Sequence, residues 1–146
     1  MRAAIGELSS WGPLRASSLW RTEPLAERGS PESQAWFVNA VVELSLPSDT
    51  DPHSLLVRLH GLERAFGRPR ERARWAPRCL DLDLLLFDEL ELRTDALSLP
   101  HPGLATRRFV LAPLAELAPD LVPPGQLRTV AELLSDPDDP LRVEKL

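Results

Sequence analysis

The stretch Arg74–Phe87, RWAPRCLDLDLLLF, constrains this chain more than any other. Its first half is cationic and irregular, with Arg74, Trp75, Pro77 and Arg78; its second half alternates and then runs apolar. Alternation at period two predicts a β-strand. Asp81 and Asp83 then share one face, about 6.6 Å apart along the strand. Leu80, Leu82, Leu84 and Leu86 take the other face and bury against helices. Two neighbouring carboxylates repel and are costly to desolvate, so they call for paired arginines, a shared proton or bound cations. Magnesium takes oxygen ligands, commonly one or two carboxylates plus substrate phosphates. The arginines just upstream would supply the rest of a phosphate site. The plainer alternative is a strand end with solvated aspartates in ordinary ion pairs.

The charge distribution supports the phosphate reading. Lys145 is the one lysine, and Arg64, Arg68, Arg70, Arg72, Arg74 and Arg78 fall within 15 residues against a single acid, Glu71. Arginine forks grip phosphate oxygens in pairs; a solvated loop is the bland alternative. The net charge of −5 argues against broad nucleic-acid binding. A length of 146 residues suits a single domain with a core of its own. Cys79, the one cysteine, excludes an internal disulfide framework. No long apolar run and no leader pattern is present, which predicts a cytoplasmic protein with no membrane partner.

In chain order, Met1–Trp11 reads as a short helix broken at Gly12–Pro13, and Arg15–Arg21 as a strand. Ala26–Gln34 reads as an exposed loop and Ala35–Leu46 as a strong strand interrupted by Asn39. That amide is either a satisfied structural group or a ligand contact. Helix-start signals at Ser48–Asp51 precede Leu55, Leu56, Leu59, Leu62 and Phe66 at helical spacing, and Gly67 stops the helix. Arg68–Pro77 is a basic loop. After the D-x-D strand come a turn with a short strand (Asp88–Leu92), a loop with His101 between two prolines, and a helix over Leu104–Leu117 containing Pro113. A short helix over Thr129–Leu134 and a DPDDP turn follow. This order predicts an α+β sandwich with a mainly antiparallel sheet, ferredoxin-like if a strand precedes Met1.

SSLWRTEPL, WFVNAVVEL, LERAFGRPR, RWAPRCLDLDLLLF and LPHPGLATRRFVLAPLAELAPDL, in that order, resemble the 6-hydroxymethyl-7,8-dihydropterin pyrophosphokinase family of folate biosynthesis. The resemblance implies transfer of pyrophosphate from ATP to the pterin alcohol, with release of AMP. It implies two Mg2+ ions on Asp81 and Asp83, and phosphate neutralisation by Arg68 and Arg78. It further implies ATP binding by Glu63, Arg70, Trp75, His101 and Arg107, and a pterin pocket of Thr22, Leu25, Phe37, Asn39, Trp75 and Phe109. From the residues alone, Phe37 and Phe109 could be plain core, His101 a turn residue, and Glu63 an ion-pair partner of Arg58 or Arg64.

Members of the family begin with a strand and a Gly-Ser-Asn-Leu-Gly loop, and here Met1 falls within the first helix. The expectation is a single domain over 1–146, truncated at its N-terminus relative to the family with the first strand absent, and a monomer in its natural form. Two other functions stay open. One is a non-catalytic nucleotide- or partner-binding relative. The other is a D-x-D nucleotidyltransferase, which needs a third carboxylate that Asp88, Glu89 and Glu91 supply poorly.

Overall fold

The structure, a computed structural model, describes residues 1–23, 36–67, 80–135 and 141–146. The expected exposed loop at Ala26–Gln34, the basic loop at Arg68–Pro77 and the DPDDP turn lie outside the described residues, wholly or nearly so.

Helix α1 (Arg2–Ser9) buries Ala4 and Leu8 and stops ahead of Gly12–Pro13. A long antiparallel hairpin follows, and each predicted strand is divided in two. Strand β1 (Leu14–Ala16) pairs with β4 (Val42–Leu44), and β2 (Trp20–Thr22) pairs with β3 (Phe37–Asn39). Between the two ladders, three residues of one arm (Ser17, Ser18, Leu19) stand opposite two of the other (Ala40, Val41). Such a one-residue excess is a bulge, which bends the arm and shifts the register. Ser17 stabilises it from both ends: its N–H donates to the Val41 carbonyl at 2.9 Å, and its Oγ accepts the Val41 N–H at 3.0 Å. The hydroxyl thus replaces a ladder bond, a pattern that apolar periodicity does not reveal.

Helix α2 (Pro52–Ala65) starts as its sequence predicts. Asp51 caps it by accepting the Ser54 N–H at 2.7 Å, Pro52 occupies the first turn, and Gly67 sits just past its end at φ +89°. Short strands β5 (Leu92–Arg93) and β6 (Ser98–Leu99) form a small hairpin. Helix α3 (Arg108–Leu117) is shorter than predicted at its N-terminal end, because 102–106 forms turns. Thr129 and Glu132 form a reciprocal capping box on α4 (Val130–Leu134). Strand β7 (Val143–Lys145), which the sequence reading did not anticipate, adds antiparallel to the free side of β2 and completes a three-stranded sheet, β3-β2-β7.

Two apolar clusters organise this α+β, antiparallel architecture. One gathers Leu8 of α1 with Leu55, Leu59 and Leu62 of α2; the other gathers Val41, Leu104, Val110, Leu111, Leu114, Val130 and Leu133 around α3 and α4. The stretch 80–87 lies between them. Leu82, Leu84 and Phe87 join the first cluster, while Leu85 and Leu86 join the second. The alternation expected for a strand therefore holds through Leu84 and slips by one at Leu85–Leu86, which places Leu86 opposite to its expected side. No strand ladder is formed by 80–87 among the described residues. Period two specifies alternating faces; a ladder also needs a partner strand alongside, and that partner is not written in the period.

Candidate active site

The first half of the site rests on the β2–β3 ladder. Thr22 stands opposite Phe37 and Trp20 opposite Asn39, so these four side chains share a face. Thr22 is buried, and its Oγ1 accepts a hydrogen bond from Asn39 Nδ2 at 2.9 Å. The protein thereby sets the direction of the amide before any ligand arrives. Phe37 is 54% exposed, which rules out a plain core role. Phe109, on α3, packs against the second apolar cluster and carries the Arg107 guanidinium 5.7 Å from its ring centroid. Helix α3, which carries Phe109, packs against the two strands that carry the amide corner.

The second half is the carboxylate pair. Asp81 and Asp83 are both exposed, and the three residues around and between them (Leu80, Leu82, Leu84) turn inward, so the expected shared face is present. Two outer contacts hold this stretch. The Leu82 N–H donates to Glu63 Oε1 at 2.9 Å, and the Leu85 carbonyl accepts the His101 N–H at 2.8 Å. Glu63 is 1% exposed, the most buried charged side chain of α2.

A tight loop links the halves. His101 Nδ1 accepts the Gly103 N–H at 3.0 Å, the Gly103 carbonyl accepts the Arg107 N–H at 3.2 Å, and the Arg107 carbonyl accepts the first helical N–H groups of α3. In the neutral imidazole this bond leaves the proton on Nε2. The bare glycine at 103 lets the Arg107 side chain lie against the loop: a Cβ there would come within 2.6 Å of Arg107 Nε and push the guanidinium aside. Gly103 and its contact with Arg107 carry no periodic signal, and the sequence reading passed over them.

A cavity of about 370 Å³ is lined by His101, Leu92, Arg93, Pro100, Pro123 and Gln126, among others, and by neither aspartate. Glu91 is the one carboxylate among the described residues on its wall, so they offer the cavity no carboxylate couple. Among the described residues no group of three or more His, Cys, Asp or Glu side chains gathers. A three-carboxylate nucleotidyltransferase centre therefore has no basis in them. Two carboxylates do fit magnesium, which completes its shell with water and phosphate oxygens. Leu25, Arg68, Arg70, Trp75 and Arg78 lie outside the described residues.

Fold and site together define an α+β protein with an exposed carboxylate pair and, on the strands that helix α3 packs against, a polar-edged aromatic corner. Residues 1–119 match the family described as 7,8-dihydro-6-hydroxymethylpterin-pyrophosphokinase. The 2-amino-4-hydroxy-6-hydroxymethyldihydropteridine pyrophosphokinase of Methylorubrum extorquens is 42% identical over 130 residues, covering 88% of this chain and 77% of that one. The protein of the same name from Pseudomonas aeruginosa is 44% identical over 120 residues, covering 82% and 68%. A folic acid synthesis protein of Schizosaccharomyces pombe is 35% identical over 121 residues, covering 83% of this chain and 16% of that one. The chain belongs to the 7,8-dihydro-6-hydroxymethylpterin-pyrophosphokinase family. Its class is that of a transferase of folate biosynthesis.

Proposed function

We propose that this chain moves the terminal diphosphoryl group of ATP onto the hydroxymethyl oxygen of 6-hydroxymethyl-7,8-dihydropterin, releasing AMP, with two Mg2+ ions held at Asp81 and Asp83. The observation that carries this reading is the outward, same-side pair of carboxylates, backed by two apolar clusters and set close to the Thr22–Asn39 corner's helix α3. Bound Mg2+ supplies charge neutralisation along the triphosphate. The chain's own residues supply position. Asn39, fixed by Thr22, reads the polar edge of the pterin, and Phe37 and Phe109, with Leu25 and Trp75, hold its faces. His101 and Arg107, with Arg70, hold the nucleotide. Arg68 and Arg78 match the family's cationic positions and neutralise charge developing on the phosphates.

Residues 1–146 act as one domain, monomeric in the natural protein. No helix among the described residues is long and apolar enough to cross a membrane. A cytoplasmic setting suits an ATP-dependent reaction and a chain whose lone Cys79 allows no internal disulfide. The test is turnover with ATP, Mg2+ and the pterin alcohol. Release of AMP dependent on both the pterin and the metal is expected. No AMP under saturating substrates overturns the assignment and favours a non-catalytic, nucleotide-binding relative.

A further inference from the structure

A carboxylate on the buried stripe of α2 is out of keeping with its neighbours. The helix buries Leu55, Leu59, Leu62 and Glu63, and Glu63 is the least exposed of the four at 1%. Burying a carboxylate costs several kcal/mol unless hydrogen bonds compensate, and an apolar residue of similar volume is often as stable or more so. Stability alone thus gives no reason for a glutamate here. Its described bond does: Oε1 accepts the N–H of Leu82, the residue between Asp81 and Asp83.

We infer that Glu63 is a positioning residue that fixes the carboxylate pair, rather than a direct contact to the nucleotide. It rests on the reading of Asp81 and Asp83 as the metal-holding pair. The stretch 80–87 has no strand ladder among the described residues to set its register. Its placement comes from Leu82 and Leu84 in the α2 cluster, from the His101 N–H on the Leu85 carbonyl, and from Glu63 on the Leu82 N–H. Of these, the Glu63 bond alone acts on the backbone between the two aspartates. Both carboxylates are one residue from that anchor, so a shift of Leu82 moves them together. A misplacement of about 1 Å in a positioned group is worth on the order of 100-fold in rate. At 1% exposure, Glu63 has almost no surface to offer a nucleotide.

Two substitutions separate the roles. Glu63→Met fills the space without an acceptor for the N–H, and Glu63→Gln keeps an acceptor oxygen in nearly the same shape. In the ligand-free protein, exchange of the Leu82 amide, read by NMR, is expected to speed up about ten-fold or more in Glu63→Met and to stay near the parent rate in Glu63→Gln. In turnover, Glu63→Met is expected to lower kcat by about 10- to 100-fold with KM for ATP within about three-fold, and Glu63→Gln to recover most of the loss. An unchanged Leu82 amide in Glu63→Met overturns the inference. So does a raised KM for ATP at unchanged kcat in both variants, the signature of a nucleotide contact. If the parent protein shows no turnover, the proposed function fails, while the exchange measurement still decides whether Glu63 anchors Leu82.

Discussion

The two halves of the site are built differently. The amide corner is placed by a backbone ladder: β2 and β3 fix Thr22 against Phe37 and Trp20 against Asn39, and β7 braces β2 from the other side. There the register does the positioning, and the side-chain bond from Asn39 to Thr22 refines it. The carboxylate pair is placed mainly by side chains: leucines in two apolar clusters and the buried Glu63, with one backbone bond from the His101 N–H to the Leu85 carbonyl, hold a stretch that forms no ladder among the described residues. A ladder spreads a perturbation over several bonds, whereas a tether concentrates it. Substitutions at the second half should therefore act mainly on rate, and those at the first half mainly on substrate affinity.

The largest expected effect lies at the pair itself. Asp81→Ala or Asp83→Ala should lower turnover on the order of 1000-fold or more, through lost metal-assisted charge stabilisation. Both side chains are exposed, so the fold should persist and the melting temperature should stay within a few degrees of the parent value. Turnover and melting measured on the same preparations check this, and near-parent turnover in either variant breaks the comparison at its root.

Next comes the amide corner. Asn39→Ala should raise KM for the pterin by about 10- to 100-fold, the worth of one or two hydrogen bonds in a partly closed site, with kcat changed less. Thr22→Val should produce a smaller shift of the same kind, by releasing the amide it orients. Steady-state kinetics at saturating ATP reads both. A fall in kcat with unchanged KM would show that this corner, like the tether, serves the transition state.

Gly103→Ala comes third. Its Cβ would meet the flexible end of Arg107, so the guanidinium must move while the fold persists. Weaker ATP binding, by about three- to ten-fold, is expected by calorimetry, the loss of part of one exposed charge contact. Unchanged affinity would remove Arg107 from the nucleotide contacts.

How legible all this was depended on what each feature rests on. Helices α1, α2 and α4 were legible almost as they stand, α2 through its start signals at Ser48–Asp51 and its stop at Gly67; the Thr129–Glu132 capping box of α4 emerges only from the structure. The hairpin was legible as two strands but not as four, since the bulge turns on one serine hydroxyl answering Val41. Strand β7 was missed because three residues with one valine carry no readable period; its place comes from β2 and from ion pairs of Arg21 with Glu144 and Lys145 with Glu116. At the site, the outward aspartates followed from alternation. The bond from Leu82 to Glu63 joins residues 19 apart and belongs to the tertiary packing alone. The pocket roles of Phe37, Asn39 and Phe109 came from resemblance; exposure of Phe37 and the Thr22 bond give two of them a physical footing.

The smallest effect concerns acid. Lys145, by hydrogen bonding its side chain, holds the Glu116 carboxyl below the usual glutamate range, and the Ser18 N–H adds to this at 2.6 Å. A depressed folded-state pKa gives stability that is present above the ordinary glutamate value and lost as pH falls through the folded one. Glu116→Gln should therefore cost about 0–1 kcal/mol at neutral pH, as for a screened pair, and make the acid-side decline in melting temperature shallower. Because this pair ties β7 to α3, the loss should leave pterin kinetics close to parent values; a marked rise in pterin KM would show that β7 supports the corner through Glu116.

On the proposed function, the carboxylate pair and the amide corner serve a single transfer of two phosphoryl units together. ATP labelled at both its β and γ phosphorus atoms tests it directly. With Mg2+ and the pterin alcohol, both labels should appear together in the pterin diphosphate, and unlabelled AMP should form in equal amount. Labelled ADP with a pterin monophosphate, or label that never leaves ATP, would contradict it.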